Sequence, residues 1–222
     1  MNALPEKRMS FDELLEFERQ SPVRHEYIGG RLYAKDSGAL PRLAGGTPHH
    51  ADIIHNLQVA VGRRLDASAC QGSSGDQRVR FENSENWFYP DFLLKCPPPR
   101  FHDRDKNALM NPRVVFEVLS PETEKFDRTG KFDVYKTNAA MSDYVLVSSD
   151  EVRVERYHRR ENGKWEQEVL IGREAVLTLC LPDGEPNAEI AVPLAEIYRK
   201  VELETQPVLP FATTNSARDL DP

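Results

Sequence analysis

The sequence contains few cysteines and no two of them at short spacing. Its three cysteines, Cys70, Cys96 and Cys180, are far apart, and no C-x-x-C motif is present. Disulfide-rich secreted domains and cysteine zinc sites both depend on several cysteines at characteristic spacings. The sequence therefore predicts neither a disulfide framework nor a cysteine zinc site, and it favours a protein of the reducing cytoplasm.

Long hydrophobic runs are also missing from the sequence. No apolar segment approaches the roughly 20 residues that a helix needs to cross a bilayer. The N-terminal stretch MNALPEKRMSFDELLEF lacks the apolar core of a secretion signal. We therefore expect a cytoplasmic protein that has no membrane partner.

Positive charge is likewise in deficit. The chain has 29 Lys and Arg residues against 36 Asp and Glu residues, which gives a formal net charge of −7. A protein with this balance is not attracted to nucleic acid by its overall field. A local basic stripe can still act within an acidic protein, so the charge argues against nucleic-acid binding without excluding it.

Helical and strand patterns are both present along the 222 residues. Strand-like runs precede and follow a predicted helix in residues 126–139, for which Asp127 is the expected N-cap. Together they indicate an α+β fold with a mixed sheet. The strand that contains Glu117, this helix and the strand that contains Tyr144 form a crossover unit, so the two strands should be parallel. We expect one domain over residues 1–203 and a flexible C-terminal tail over residues 204–222, which is rich in Pro, Thr, Asn and Ser.

Three local signals occur in the first third of the chain. Ser10 is the expected N-cap of a helix in SFDELLEFERQ. The segment HEYIGGRLYA predicts a β-hairpin that turns at Gly29 and Gly30. Thr47 and Pro48 are typical of the N-cap and first residue of a second helix.

Two acidic residues interrupt runs that otherwise indicate buried strands. Asp91 lies in WFYPDFLLKC, and Glu117 lies in PRVVFEVLS. An isolated buried ion costs several kcal/mol, a large part of the roughly 5–15 kcal/mol by which a domain is stable. A divalent cation that binds both carboxylates removes this cost, and magnesium suits such a site because it takes one or two carboxylates and keeps several waters. Taken singly, each acid is more simply a solvated edge residue or a salt-bridge partner.

A lysine follows the second acid on the predicted helix. Lys131 lies about one turn after Asp127, and an ammonium there could orient a water molecule or stabilise developing phosphate charge. An ion pair with Asp127 at i,i+4 spacing is the simpler explanation of Lys131. Lys125 is an alternative for the same catalytic role.

The histidines His49, His50 and His55 do not have the H-x-x-x-H spacing of a zinc site on a helix. We therefore expect no zinc site. His50, on the inward face at the helix N-terminus, could reach a cleft as a phosphate contact or a proton carrier, and a buried structural histidine is the simpler alternative.

The order of several short motifs resembles a known family. YPD, FEVLSPET, DRTGKFDVY and DYVLVS occur in the order seen in the Uma2 family, also called DUF820, of restriction endonucleases. RHEYIGGRLY, GGTPHH and PLAEIY are similar to other segments of that family, so the resemblance extends from about Ser10 to Tyr198.

The resemblance implies a fold and a site. The Uma2 family is similar to the PD-(D/E)xK nuclease superfamily, which implies a restriction-endonuclease-like mixed β-sheet flanked by helices, with a magnesium site at the edge of the sheet. Asp91 matches the first acid of the superfamily motif and Glu117 the second. The usual lysine position is occupied by Leu119, so the resemblance assigns the lysine role to Lys131 on the following helix. Glu26, in RHEYIGG, matches a recurrent Uma2 acid that adds a metal ligand or holds a basic residue, although pairing with a nearby arginine, Arg24 or Arg31, explains it equally well.

These observations lead to one prediction and two alternatives. We predict an endonuclease that hydrolyses DNA with Mg²⁺ or Mn²⁺, in which Asp91 and Glu117 are metal ligands and Lys131 and Glu26 complete the catalytic set. Because duplex cleavage needs two cuts, we also expect a homodimer. A catalytically inactive nuclease fold that serves as a binding or regulatory module is the first alternative, and a hydrolase of a small phosphorylated substrate is the second.

Overall fold

The structure is a computed structural model that describes residues 9–35, 48–81, 84–121, 123–182, 189–203 and 218–220. Its helices are α1 (Phe11–Gln20), α2 (Pro48–Gly62), α3 (Glu124–Phe126), α4 (Phe132–Tyr135) and α5 (Leu194–Ile197), and a π-helical turn (Asp127–Lys131) joins α3 to α4. Its strands are β1 (His25–Ile28), β2 (Arg31–Ala34), β3 (Gln71–Ser74), β4 (Arg78–Arg80), β5 (Trp87–Phe88), β6 (Phe92–Lys95), β7 (Ala108–Leu109), β8 (Val114–Val118), β9 (Asp143–Val147), β10 (Arg153–Arg159), β11 (Trp165–Ile171), β12 (Val176–Cys180), β13 (Glu189–Pro193) and β14 (Arg218–Leu220).

Two sheets form the body of the fold. The larger sheet has seven strands in the order β14-β11-β10-β9-β8-β6-β3, and the smaller has five in the order β2-β1-β5-β4-β7. In the larger sheet β8 and β9 are parallel, while the neighbouring pairs β6–β8 and β9–β10 are antiparallel. The predicted α+β fold with a mixed sheet flanked by helices is therefore confirmed, as is the parallel crossover through the α3–α4 segment.

The layers of the fold follow from the alternation of side chains on β8. Phe116 packs in a core with residues of α2 and α5, whereas Val115, on the opposite face, packs in a second core with Tyr135 of α4 and with β4 and β5. Each large side chain that is fully buried in these cores stabilises the fold by about 1.5–3 kcal/mol. The smaller sheet lies between the second core and α1, and Leu14 of α1 belongs to a third core with Trp87 and Tyr27 of this sheet.

Two of the local predictions are confirmed by backbone geometry. Ser10 is the N-cap of α1 and forms a capping box with Glu13. The β1–β2 hairpin turns at Gly29 and Gly30, whose φ angles of +56° and +86° are those that a tight hairpin turn requires. Pro48 is the first residue of α2, and the predicted cap Thr47 lies outside the described residues.

The prediction that Asp127 caps a helix is wrong. The helical segment begins at Glu124, one residue after Thr123, and Asp127 lies inside it as a buried residue of the π-helical turn. An internal, buried aspartate is stable there because Lys131, four residues later, forms an ion pair with it.

The segment WFYPDFLLKC, predicted as one strand, is divided between the two sheets. β5 ends at Phe88 in the smaller sheet, and β6 begins at Phe92 in the larger sheet. Pro90 lies between them, and its missing N–H is compatible with a break in strand pairing. Asp91 consequently lies at the entrance to β6 rather than within a strand.

Cys70 and Cys96 form a disulfide, which corrects the expectation that the cysteines would not pair. The pairing of β3 with β6 aligns Gln71 with Lys95, and the next residues outward on the two strands are the two cysteines. Their separation of 26 residues gave no sign of this contact, because strand pairing rather than sequence spacing brings them together. The cytoplasmic location stays a prediction.

Two further predictions concern the membrane and the tail. Within the part of the chain that the structure describes, no helix combines the length and the hydrophobicity that crossing a bilayer demands. In the predicted C-terminal tail, residues 218–220 form β14 and pair with β11, and residues 204–217, 221 and 222 lie outside the described residues.

Candidate active site

Glu117 lies within β8, where the strand is paired on both sides with β6 and β9. Its neighbours Phe116 and Val118 direct their side chains into the core beneath α2. Because side chains alternate along a strand, Glu117 points to the other face, towards β1 and the π-helical turn. Only 2% of Glu117 is exposed, so its carboxylate depends on protein groups for its partners.

Lys131 is the direct partner of Glu117. Its Nζ lies 3.0 Å from Glu117 Oε1, 3.0 Å from Asp127 Oδ1 and 3.2 Å from Glu26 Oε1. Three carboxylates from β1, β8 and the π-helical turn therefore meet at one ammonium. Although burial lowers the pKa of Lys131, the charges of Asp127 and Glu117 outweigh burial and raise this pKa well above its ordinary value.

The π-helical turn places the groups around Lys131. π-helical turns are rare and occur frequently at functional sites. Here the turn includes both Asp127 and Lys131, and it is fixed to β9 by the Tyr144 hydroxyl, which donates a hydrogen bond of 2.9 Å to the Asp127 carbonyl. The turn thus has a fixed position relative to Glu117 on β8.

Glu26 connects the smaller sheet to this cluster. In addition to its contact with Lys131, its Oε1 accepts a hydrogen bond of 3.1 Å from the backbone N–H of Tyr89. Its other oxygen, Oε2, is buried and has no hydrogen-bond partner within the described residues. Arg24, one of the two arginines considered for Glu26 in the sequence, pairs with Asp76.

Asp91 faces the same cluster from the start of β6. Its Oδ2 accepts a hydrogen bond of 2.8 Å from the backbone N–H of Val118, and its Oδ1 lies 3.2 Å from Lys35 Nζ. His50 Nε2, at the beginning of α2, is 3.7 Å from Asp91 Oδ2 and 2.9 Å from the Val118 carbonyl oxygen. Asp91 is therefore contacted from three elements: the end of β2, α2 and β8.

The two predicted metal ligands differ in their pKa values. Burial raises the pKa of Glu117 to about 8, because Lys131 and Lys35 offset the loss of hydration only in part. Burial acts on Asp91 in the same direction, but Lys35, His50 and Lys131 together lower its pKa below the ordinary value. The charge of Asp91 also raises the pKa of Glu117, and Lys35 and Lys131 act on both carboxylates, which places Asp91 and Glu117 in one electrostatic unit.

We call this group of six side chains the lysine cluster; it consists of Glu26, Lys35, Asp91, Glu117, Asp127 and Lys131. The four carboxylates exceed the two ammonium groups by two formal charges when all are ionised. Buried charges normally have matched partners, because each uncompensated one costs several kcal/mol. The raised pKa of Glu117 is one consequence of this excess.

The lysine cluster suits a hard divalent cation that keeps its waters better than a metal ion that needs three or more protein ligands. In the described segments, no three His, Cys, Asp or Glu side chains are grouped in a way that could hold a metal ion. Mg²⁺ does not need such a group, since it commonly takes one or two carboxylates and keeps its waters. The excess of two negative charges is compatible with a cation at Asp91 and Glu117.

The structure brings together all four residues that the sequence singled out. Asp91, Glu117, Lys131 and Glu26 belong to one cluster, whereas the alternative lysine, Lys125, is exposed on the helix surface. Their catalytic roles stay predictions.

Sequence reasoning missed Lys35, and it considered Asp127 as a helix cap and as an ion-pair partner of Lys131 but not as a member of the site. Lys35 follows the last residue of β2, and its N–H bonds to the carbonyl of Arg24 across the predicted hairpin. The hairpin could therefore have indicated that Lys35 lies near the residues flanking Glu26. For Asp127 the available signal was its i,i+4 spacing to Lys131, which the structure shows as an ion pair.

Comparisons with known proteins identify the family. The sequence model of the Uma2 family, described as putative restriction endonuclease, matches residues 11–192. The protein slr1290 of Synechocystis sp. is 34% identical over 162 residues, which cover 72% of this chain and 80% of the relative. A second protein of the same organism, sll1609, is 28% identical over 169 residues, which cover 76% of this chain and 91% of that relative.

A solved structure shares the fold. The crystal structure of a putative nuclease belonging to DUF820 from Anabaena variabilis superposes with a TM-score of 0.63 and covers 86% of this chain and 97% of its own. The two sequences are 16% identical, so this likeness concerns the fold and confirms the predicted restriction-endonuclease-like architecture.

Proposed function

The chain belongs to the Uma2 family, and from that premise we propose that it is a metal-dependent nuclease that hydrolyses phosphodiester bonds in DNA. The description of the family as putative restriction endonucleases and the nuclease fold of the structural neighbour support the nuclease assignment. The observation that carries the proposal is the meeting of Asp91, Glu117 and Lys131 in one buried cluster that has an excess of negative charge.

Asp91 and Glu117 are the proposed ligands of a Mg²⁺ or Mn²⁺ ion. Such an ion, when bound, polarises a phosphate oxygen and makes a bound water more acidic. Asp91 is well placed to be a ligand because the Val118 N–H fixes one of its oxygens and nearby cations keep it ionised. Glu117 must lose a proton before it can be a ligand, because its pKa is raised to about 8. The metal ion would replace that proton.

Lys131 and Glu26 are proposed to position Glu117. The ammonium of Lys131 contacts Glu117 Oε1 at 3.0 Å, and Glu26 contacts that ammonium from the opposite sheet. This arrangement fixes the rotamer of Glu117 and adds a positive charge that also lowers the pKa of Asp91. Their substitution should therefore weaken the site through Glu117 and Asp91.

Cleavage of supercoiled plasmid in the presence of Mg²⁺ or Mn²⁺ tests the proposal. We expect wild-type protein to nick or linearise the plasmid, and EDTA to abolish the reaction. Asp91→Asn and Glu117→Gln, which keep the shape of each side chain, should lose activity. Asp133→Asn is the matched control, because Asp133 lies on the outer surface of α4 in a pair with Lys136. Equal residual activity in all four proteins would identify a contaminant and refute the assignment.

A second function is favoured by one observation: both proposed ligands already have lysine partners. Lys35 contacts Asp91 and Lys131 contacts Glu117, so the fold has cations at both acids without a metal ion. A nuclease fold used only for binding would have this property. Thermal unfolding at millimolar Mg²⁺ separates the two functions, since an ion that binds the native state raises the unfolding temperature, whereas a binding module would show no shift.

We further propose that the protein acts as a homodimer, because the two strands of a duplex require two cuts. Light scattering coupled to gel filtration should give twice the mass of one chain, 25.3 kDa. Double-strand breaks produced by a protein that is monomeric at the working concentration would contradict this proposal.

A further inference from the structure

The two lysines of the lysine cluster differ in their access to solvent. The side chain of Lys131 is 3% exposed, and its ammonium hydrogen-bonds to Glu117 and forms ion pairs with Glu26 and Asp127. The side chains of Lys35, Asp91 and His50 are 15%, 11% and 18% exposed. A molecule that approaches from solvent therefore meets the Lys35 side of the cluster and cannot reach Lys131 without displacing its carboxylates.

We propose that Lys35 is a catalytic residue whose ammonium is the counter-ion of Asp91 in the metal-free protein and contacts the substrate phosphate once a divalent cation occupies Asp91. This inference rests on the proposed nuclease function. It gives the substrate-facing role to Lys35 and leaves Lys131 as a positioning residue behind Glu117.

The contacts of Asp91 support a competition between Lys35 and a metal ion. Asp91 Oδ2 accepts a hydrogen bond of 2.8 Å from the Val118 N–H and lies 3.7 Å from His50 Nε2, so Oδ1 is the oxygen with fewer other neighbours for a cation. In this structure Lys35 Nζ lies 3.2 Å from that oxygen. Two cations cannot both contact Oδ1 closely without repulsion, so a metal ion and Lys35 should compete for it.

The contacts of Lys35 itself allow it to move between two partners. Within the described residues its ammonium contacts Asp91 Oδ1 and the Tyr89 carbonyl oxygen. The Tyr89 contact can persist when Asp91 is lost, which leaves donors directed to the same region for a phosphate oxygen. A lysine ammonium is a compact point charge with rotatable donors, and it binds phosphate without the planar geometry that arginine requires.

The proposal predicts that one variant, Lys35→Met, binds metal more tightly but cleaves DNA more slowly. Lys35→Met should bind Mg²⁺ roughly tenfold more tightly, because the competing charge is gone. The same variant should cleave DNA roughly a hundredfold more slowly at saturating metal, as expected when one donor to the reacting phosphate is lost. Lys35→Arg keeps the charge and should bind Mg²⁺ as the wild type does.

Calorimetric titration of Mg²⁺ and cleavage of plasmid at saturating Mg²⁺ measure the two effects on the same preparations. Lys136→Met is the matched control, since Lys136 pairs with Asp133 outside the cluster. Circular dichroism and the unfolding temperature show whether each variant is folded, and Lys35→Gln replaces Lys35→Met if the latter does not fold.

The possible outcomes separate the inference from the function it rests on. Tighter metal binding together with slower cleavage supports the role of Lys35. If the wild type binds metal and cleaves DNA but Lys35→Met behaves like Lys136→Met, the inference fails and the nuclease function stands. If the wild type neither binds metal nor cleaves, the nuclease function itself fails.

Discussion

Two ionic groups in this protein are each built around a buried carboxylate and differ in the balance of acidic and basic side chains. The lysine cluster has four carboxylates and two ammonium groups. The second group, which we call the Arg156 cluster, consists of Asp143, Arg156, His158 and Glu168 on β9, β10 and β11. Arg156 Nε lies 2.7 Å from Asp143 Oδ1, and His158 Nδ1 lies 3.1 Å from the same oxygen.

The difference appears in the ionisation of the buried acids. Burial tends to raise the pKa of Asp143, but the hydrogen bond from His158 and the charge of Arg156 outweigh burial and lower it below the ordinary value. The pKa of Glu117 is instead raised to about 8, although Lys131 lies 3.0 Å away. A buried acid with sufficient cations is ionised and stabilises the fold. An acid in excess holds a proton that an external cation can replace, and such a shifted pKa is typical of functional sites.

The largest expected effect is on catalysis and should occur in the lysine cluster alone. Glu117→Gln should reduce plasmid cleavage by roughly 10⁴-fold, which corresponds to about 5.4 kcal/mol of transition-state stabilisation. Asp143→Asn should retain most of the wild-type rate per folded molecule. Single-turnover cleavage at saturating Mg²⁺ measures both, and a loss in Asp143→Asn as large as that in Glu117→Gln would end the distinction between the two clusters.

A smaller effect is expected on stability, and here the Arg156 cluster should be the more sensitive of the two. Asp143→Asn leaves the Arg156 guanidinium buried without its closest carboxylate and should lower the free energy of unfolding by about 3 kcal/mol. Glu117→Gln should not lower it, because glutamine resembles the protonated form of Glu117 that burial favours at pH 7. Urea denaturation in EDTA at pH 7 compares the two variants. Equal destabilisation would show that charge balance does not distinguish the clusters.

The smallest expected effect, counted per pH unit, is the dependence of the free energy of unfolding on pH. Because the pKa of Glu117 is raised from the ordinary 4.5 to about 8 in the folded chain, its protonated form favours folding. The contribution is fully present below pH 4.5 and declines as pH rises to 8, by at most about 1.4 kcal/mol per pH unit. Asp143, whose pKa is lowered, contributes in the reverse sense: its stabilisation is present above the ordinary pKa and is lost as pH falls through the folded value.

Metal-free urea denaturation between pH 3 and 9 resolves these two slopes. Glu117→Gln should remove the decline between pH 4.5 and 8, and Asp143→Asn should remove the loss at acid pH. If the profile of Glu117→Gln ran parallel to that of the wild type throughout, the proton on Glu117 would have no role in stability.

Local features of the fold could be predicted from the sequence, and contacts between distant segments could not. The Ser10 capping box and the Gly29-Gly30 hairpin depend on neighbouring residues, and both are present. The parallel pairing of β8 and β9 followed from the handedness rule for crossovers. The disulfide of Cys70 with Cys96 depends on how β3 and β6 pair, which no spacing in the sequence encodes.

The residues of the candidate site also differ in whether the sequence could indicate them. Asp91 and Glu117 were identifiable because a charged residue in an apolar run needs a physical reason. The hairpin could have placed Lys35 near Glu26, but its contact with Asp91 was not identifiable, because only the fold brings that carboxylate within 3.2 Å of its ammonium. Asp127 was interpreted as a helix cap, since the sequence does not show that the helix begins three residues earlier, at Glu124.

Metal binding tests most directly the claim that the carboxylate excess of the lysine cluster serves a divalent cation. Calorimetric titration of Mn²⁺ and Mg²⁺ should be performed on the wild type, Asp91→Asn and Asp143→Asn at pH 7.5. The account predicts a binding site in the wild type and in Asp143→Asn, and none in Asp91→Asn. No binding to the wild type at millimolar metal, or equal binding to all three proteins, would contradict it.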